Sequence, residues 1–180
     1  MLSQRTWIIF GATVLGMALV AGCNLERRAA PPGSVAGPGT TETQETLRPV
    51  GESLKVRVNR DRDVLGLPAL IASQALDEAA RLRAEDMLVR GYLGAIAPGD
   101  ASAAAQELMA VAGYSGQLGE LVYQHAGPLA SLTESTVSAW MASDAHRKLL
   151  LDTRFQFLGA GIAGEPDSWV VVMLFAEVGP

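Results

Sequence analysis

The stretch "FLGAGIAGEPDSWVVVMLFAEV", residues 157–178, decides the fold class of this 180-residue chain. Its two halves are rich in β-branched and aromatic residues, and the turn sequence "GEPDS" (residues 164–168) separates them. This arrangement predicts a β-hairpin. The second half is almost continuously apolar from Trp169 to Phe175, which is typical of a central strand covered on both faces.

Two helices are predicted well upstream of this hairpin. Leu54, Val58 and Leu65 fall on one face of a first helix. A second helix can be capped by Ser73 and closed by Gly91. Its apolar stripe comprises Leu76, Ala79, Ala80, Ala84, Met87 and Leu88.

Three more helices are predicted between this second helix and the hairpin. The first begins at Asp100 or Ser102 and ends at Gly113. The next opens at a capping box formed by residues 131–134, and a short helix restarts at Ser143. Helices first and a sheet last predict an α+β fold built in layers.

The composition excludes several classes of protein. The chain carries a net charge of −5, whereas a general nucleic-acid binder needs a basic surface, so no nucleic-acid partner is expected. A single cysteine excludes an internal disulfide framework and a cysteine-rich zinc site. One domain with a sizeable core fits the length.

The amino-terminal sequence "MLSQRTWIIFGATVLGMALVAGC", residues 1–23, indicates a secretory signal. Its apolar run is shorter than the roughly 20 residues that a spanning helix needs. The last four residues, Val20-Ala21-Gly22-Cys23, resemble the lipobox of bacterial lipoproteins. That resemblance implies removal of residues 1–22, a diacylglycerol on Cys23 and acylation of the new amino terminus. The alternative is an ordinary signal with a chance cysteine.

Residues 24–50 are rich in proline, glycine and threonine and contain almost no large apolar side chain. Such a segment cannot bury enough surface to offset the entropy of ordering it. We therefore expect the lipidated cysteine and a flexible tether to occupy residues 23–50. The folded domain is predicted to span residues 51–180.

Four motifs occur in an order that resembles a known family. They are "VNRDRDVLGLPAL" (residues 58–70), "LDEAARLRAEDMLVRGYLG" (76–94), "VAGYSGQLGE" (111–120) and "SAWMASDAHRKLLLDTRFQFLGAGIA" (138–163). Together they resemble bacterial CAP domains, the superfamily of cysteine-rich secretory, antigen-five and pathogenesis-related proteins. The resemblance covers about residues 54–176. It implies a three-layer α-β-α sandwich with a central antiparallel sheet.

The resemblance also implies a shared polar cavity. In the family this cavity usually carries two histidines and two acidic residues, which bind a divalent metal in some members. Carried over by motif, the second histidine is His146 and the first acid is Glu120. The place of the first histidine holds Ala95, and the usual asparagine after the first acid is Leu121. Where members often carry a polar residue on the late strand, this chain has "WVVVM" (residues 169–173), with no carboxylate or amide.

These losses bear on metal binding. Zinc needs about three protein ligands and a further position for water, and Glu120 and His146 supply only two. We therefore expect no metal and no other cofactor. His125 could substitute as a ligand, but "YQHAGP" (residues 123–128) is predicted to be a polar loop. The expected role of His146 is to pack at the Ser143 junction and to hydrogen-bond Glu120.

Two functional classes follow from these expectations. The chain lacks a Gly-x-Ser-x-Gly elbow, a His-Glu-x-x-His motif and a phosphate-binding glycine-rich loop. The first class is a non-enzymatic binding module for a wall, lipid or protein ligand, held by Cys23 on the extracytoplasmic side of a bacterial membrane. The alternative is a protease-like cell-envelope hydrolase that uses Glu120 and His146.

Overall fold

The computed structural model describes residues 41–97, 99 and 104–180. The predicted signal peptide, Cys23 and residues 24–40 of the predicted tether lie outside this range. In chain order the elements are α1 (Thr41–Val64), β1 (Ile71–Ala72), α2 (Gln74–Arg90), α3 (Ala104–Val111), β2 (Ser115–His125), α4 (Leu129–Ala142), α5 (Asp144–Leu150), β3 (Phe157–Glu165) and β4 (Ser168–Val178).

The described strands form one four-stranded sheet in the order β1-β3-β4-β2. The predicted hairpin is confirmed, because β3 and β4 pair antiparallel through a turn in which Asp167 has a φ of 68°. β4 also pairs antiparallel with β2 and is therefore central. The two-residue β1 pairs parallel with β3, so the sheet is mixed rather than purely antiparallel.

Helices cover both faces of the sheet, which gives the predicted α-β-α sandwich. The side chains of β4 alternate between two cores. Val171, Met173 and Phe175 pack with α1, α4 and α5, whereas Val172 and Leu174 pack with α2 and α3. This alternation confirms that β4 is covered on both faces.

The first helix begins earlier than the sequence indicates. α1 starts at Thr41, so the predicted domain boundary at Gly51 falls inside a helix. Leu47 is buried against the core formed with α4 and α5. Apolar packing of α1 therefore outweighs the polar composition of residues 41–50. At the other end of α1, Leu65 is exposed rather than part of the buried face.

The second helix lies directly on the sheet. A Cβ atom at Gly159 would come within 2.4 Å of Leu76 Cβ, and one at Gly161 within 2.1 Å of Arg81 N. Because only glycine allows this approach, the Gly-x-Gly pair of β3 fixes how deeply α2 sits. α2 is capped by Ser73 and ends at Gly91 in the left-handed conformation, as predicted.

Two local predictions are wrong. α4 begins at Leu129 after Pro128, so Ser131 lies within the helix and donates its hydroxyl to Pro128 O at 3.0 Å instead of opening a capping box. The segment predicted as a polar loop around His125 is the end of β2. Within the part of the chain that the structure describes, no helix combines the length and apolar character needed to cross a membrane.

Candidate functional site

Glu120 and Arg83 form a buried ion pair between the sheet and α2. Glu120 belongs to β2 and its side chain is 8% exposed, while Arg83 belongs to α2 and is fully buried. Arg83 Nε donates to Glu120 Oε1 at 2.9 Å. A charge-assisted bond of this kind is stronger than one between neutral groups.

The other nitrogens of Arg83 are also bound. Nη1 donates to Asp86 Oδ2 at 3.4 Å and to the Tyr92 hydroxyl, and Nη2 donates to the Gly94 carbonyl. Tyr92 in turn donates its hydroxyl to Asp86, and its ring centroid lies 5.3 Å from the guanidinium carbon. We refer to Arg83, Asp86, Tyr92, Gly94 and Glu120 as the Arg83 cluster.

Burial raises the pKa of Glu120 to about 7, because the charged carboxylate loses its hydration. The nearby Arg83 offsets only part of that change. Burial and the bond to Asp86 likewise raise the pKa of the Tyr92 hydroxyl. Glu120 therefore changes its protonation state close to neutral pH.

A cleft of about 440 Å³ lies beside this cluster, between α2 and α3. Its lining residues are Leu82, Arg83, Asp86, Arg90, Ala104, Glu107, Leu108 and Val111. Asp86, whose side chain is 33% exposed, thus belongs both to the cluster and to the wall of the cleft, and the fully buried Arg83 lies behind it. The cleft is open to solvent, and its lining combines apolar side chains with the charged Asp86, Arg90 and Glu107.

His146 lies on α5 and is 7% exposed. The same helix contributes Leu149 and Leu150 to the core on the α1 side of the sheet. Glu120 faces the other way, since its partner comes from α2 and a Cβ on the adjacent Gly119 would meet Leu149 at 3.2 Å. The partner of Glu120 is therefore Arg83, where the sequence predicted His146.

Leu121 is likewise placed away from the Arg83 cluster. It follows Glu120 on β2 and is buried in the core shared with α1, α4 and α5. Leu121 thus packs as a core residue and does not lie beside the carboxylate of Glu120. Ala95 is partly buried in the segment that follows α2.

His125 is buried at the end of β2, close to the start of α4. Its Nε2 lies 3.2 Å from Ser131 Oγ and 3.3 Å from Pro128 O, and its ring stacks on Tyr123 at 6.3 Å. The Ser131 hydroxyl itself donates to Pro128 O. These contacts join β2 to α4 and do not bring His125 to Glu120.

The donor groups do not fit a divalent metal. Among residues 41–97, 99 and 104–180, no group of three or more histidine, cysteine, aspartate or glutamate side chains could hold an ion. The carboxylate of Glu120 is already bound by a guanidinium. The expectation that the protein needs no metal stays a prediction, which these contacts support.

Arg83 is the residue that the sequence reasoning missed. Asp86, one turn further along α2, binds both Arg83 and Tyr92. The available signal was spacing: Arg83 follows Leu76 and Ala80 at intervals that place it on the buried face of α2. An arginine on such a face needs an acid opposite it, and Glu120 meets that need.

Comparison with known proteins places this architecture in a family. Among solved structures, an extracellular protein containing an SCP domain from Bacillus anthracis matches with a TM-score of 0.64 and 22% identity, covering 79% of this chain and 45% of that chain. An outer surface protein of Borrelia burgdorferi matches with a TM-score of 0.60 and 17% identity, covering 78% and 96%. A cysteine-rich secretory protein of Staphylococcus aureus matches with a TM-score of 0.55 and 19% identity, covering 71% and 38%.

These identities support a common fold alone, and the chain spans less than half of the Bacillus and Staphylococcus proteins. No curated protein matches the chain. The CAP model, described as the cysteine-rich secretory protein family, matches residues 56–175. That segment contains α2, β2, β3 and most of β4, and hence both members of the Arg83–Glu120 pair. The chain therefore belongs to the cysteine-rich secretory protein family.

Proposed function

We propose that this protein is a membrane-tethered extracytoplasmic binding module without enzymatic activity. Its ligand is a wall component, a lipid or another protein, and the cleft between α2 and α3 is where it binds. Two of the three solved relatives are described as an extracellular and an outer surface protein, which supports a location outside the cytoplasm. Glu120, bound by Arg83, is the proposed polar residue beside this cleft. His146, the other residue predicted for the cavity, lies on α5, which packs on the opposite face of the sheet, and stays a prediction.

The closed hydrogen bonding of the Arg83 cluster is the observation that carries this proposal. All three guanidinium nitrogens of Arg83 donate to groups within the cluster, and Glu120 accepts from Arg83. A general base needs a substrate group within reach, whereas Oε1 of Glu120 already accepts from Arg83. Polar groups that satisfy one another instead hold the wall of the cleft in a fixed shape.

The position of the only cysteine supports the anchor. Cys23 directly follows the apolar run that ends at Val20, where lipoprotein processing requires a cysteine. Three acyl chains would bind a membrane firmly, whereas a single chain binds only marginally. Mass spectrometry of the mature amino terminus tests the anchor. An unmodified Cys23, or a Cys23→Ser variant that is still cleaved and membrane-bound, would contradict it.

Binding at the cleft can be tested with defined probes. Muropeptides, phospholipid vesicles and an unstructured peptide mixture are titrated in turn, and the melting temperature is followed. Val111 lines the cleft and is 89% exposed, so Val111→Arg obstructs the cleft without disturbing the core. Val64→Arg, at an exposed position on α1, is the matched control. A response to one probe that Val111→Arg abolishes and Val64→Arg keeps is expected; equal responses in both variants would contradict the cleft.

The raised pKa of Glu120 favours the hydrolase as a second candidate. A carboxyl group with a pKa of about 7 is suited to donate a proton at neutral pH. A screen of peptide and ester substrates separates the two functions. Turnover that is lost in folded Glu120→Gln and His146→Ala variants would establish the hydrolase and remove the binding-only proposal.

A further inference from the structure

The guanidinium of Arg83 lies at the centre of the Arg83 cluster and binds its acceptor groups. Its acceptors come from three parts of the chain: Asp86 from α2, Tyr92 and Gly94 from the segment that follows α2, and Glu120 from β2. All of them converge on one side chain that has no exposed surface. Four oxygen acceptors around one charge form the kind of shell that hard cations also prefer.

We infer that Arg83 is the resident cation of this cavity, and that its guanidinium occupies the place that an added metal ion would have to fill. The position of the Nε donor supports this reading, since it already binds one of the two carboxylate oxygens of Glu120. A second cation near Glu120 would meet repulsion from Arg83 at short range. The cavity therefore keeps its charge and shape without metal.

Arginine suits this role better than lysine would. Its planar fork offers donors in several fixed directions, whereas an ammonium is a compact point charge. Here Nε, Nη1 and Nη2 reach acceptors on different elements.

Asp86 and Arg90 continue the row of charged side chains from Arg83 to the cleft. Asp86 Oδ1 lies 3.7 Å from Arg90 Nη1, while Asp86 Oδ2 accepts from Arg83. Asp86 thus bridges the buried arginine and a half-exposed one that also lines the cleft. This inference does not depend on which ligand the cleft binds.

Chemical rescue of an Arg83→Ala variant tests the inference. The variant leaves a cavity shaped for a guanidinium, and ethylguanidinium at millimolar concentration is the probe, with ethylammonium and sodium chloride as controls. We expect ethylguanidinium to raise the melting temperature of Arg83→Ala, with an apparent affinity at least about tenfold tighter than that of ethylammonium, because several charge-assisted bonds are restored. The effect should disappear in Arg83→Ala with Glu120→Gln.

Arg62→Ala is the matched control, since Arg62 is also fully buried but its described acceptors are the main-chain carbonyls of Pro68, Leu150 and Asp152. Equal responses of Arg83→Ala and Arg62→Ala to ethylguanidinium would overturn the inference. If Arg83→Ala is unfolded in buffer, the same titration is followed by circular dichroism, and failure of ethylguanidinium to restore folding would also overturn it.

A metal titration of the wild-type protein is the complementary test. Zinc, manganese and calcium salts are added singly, with a chelator as the reference, and calorimetry and the melting temperature are followed. We expect no saturable binding that depends on Glu120. Sub-micromolar binding of any of these ions that Glu120→Gln or His146→Ala abolishes would show that Arg83 does not fill the cation site.

Discussion

Two arginines of this protein, Arg62 and Arg83, are both fully buried, yet their surroundings differ. Arg83 meets two carboxylates, a tyrosine and a carbonyl. The described hydrogen bonds of Arg62 go to main-chain carbonyls, and its Nη2 has no hydrogen-bond partner. Burial lowers the pKa of Arg62, because the charged guanidinium loses its hydration.

This difference separates an arginine that binds main-chain carbonyls from one that binds acidic side chains. Arg62 holds the carboxyl end of α5 and the loop after α1 by binding carbonyls that helix geometry leaves free. Arg83 instead balances an acid, Glu120, whose own burial is costly without it. The Arg83 arrangement also places titratable groups beside a cleft. We therefore expect the two arginines to respond differently to substitution and to pH.

The largest effect is expected for Arg83→Met at pH 8. This change leaves the Glu120 carboxylate buried without its partner, and breaking a buried pair from one side costs about 3–5 kcal/mol. Urea denaturation measures the loss. Adding Glu120→Leu should recover much of it, because apolar replacement of both partners is often nearly neutral. A loss below about 1 kcal/mol, the size of an ordinary hydrogen bond, would show that Glu120 does not depend on Arg83 for its burial.

A somewhat smaller effect is expected from the titration of Glu120. Its folded pKa of about 7 exceeds the ordinary value of 4.5, so the stabilising contribution is complete below pH 4.5 and is lost as the pH rises through 7. The difference between these two values corresponds to about 3 kcal/mol.

The measurement compares the free energy of unfolding of wild type and Glu120→Gln at several pH values from 4.5 to 8. The wild type should lose stability relative to the variant as the pH rises. Other carboxyl groups titrate in both proteins and cancel in the difference. Parallel pH profiles would show that Glu120 titrates at its ordinary value, and an opposite slope would show that Arg83 dominates its pKa.

Arg62→Met is expected to lower the free energy of unfolding by about 2 kcal/mol, because buried carbonyls lose their donor. Removal of the unpartnered Nη2 offsets part of the loss. The loss should be the same at pH 5 and pH 8, since no carboxylate is left without its partner. Denaturation at both pH values provides the measurement. A loss that grows with pH would mean that an acid, such as the nearby Asp152, depends on Arg62.

The same comparison shows what the sequence can and cannot reveal. The β3–β4 hairpin was predictable because its apolar runs and turn are local signals, and the caps Ser73 and Gly91 are local as well. β2 was missed because "SGQLGELVYQH" contains glycine, glutamine and glutamate without regular alternation, and its pairing with the apolar β4 supplies the order. Strand formation there depends on tertiary context.

The partner of Glu120 also could not be identified from the sequence. Glu120 was found through its motif, but its partner lies 37 residues away on a helix whose other buried side chains are apolar. Which acid balances Arg83 depends on how deeply α2 sits on the sheet, and Gly159 and Gly161 determine that depth. Spacing indicates that Arg83 is buried, but it does not identify the partner.

The smallest effect is expected in a double-mutant cycle between His146 and Glu120. Glu120 faces α2 and binds Arg83, whereas α5 packs on the other face of the sheet. The losses of His146→Ala and Glu120→Gln should therefore add within about 0.5 kcal/mol, as they do for sites that share no contact. The cycle between Arg83→Met and Glu120→Gln, measured by the same denaturation, should give a coupling of about 1–3 kcal/mol. If the His146 cycle shows the larger coupling, His146 is the true partner of Glu120 and the ion pair to Arg83 is secondary. A large coupling in both cycles would join α2, β2 and α5 in one polar site and would strengthen the hydrolase as the function.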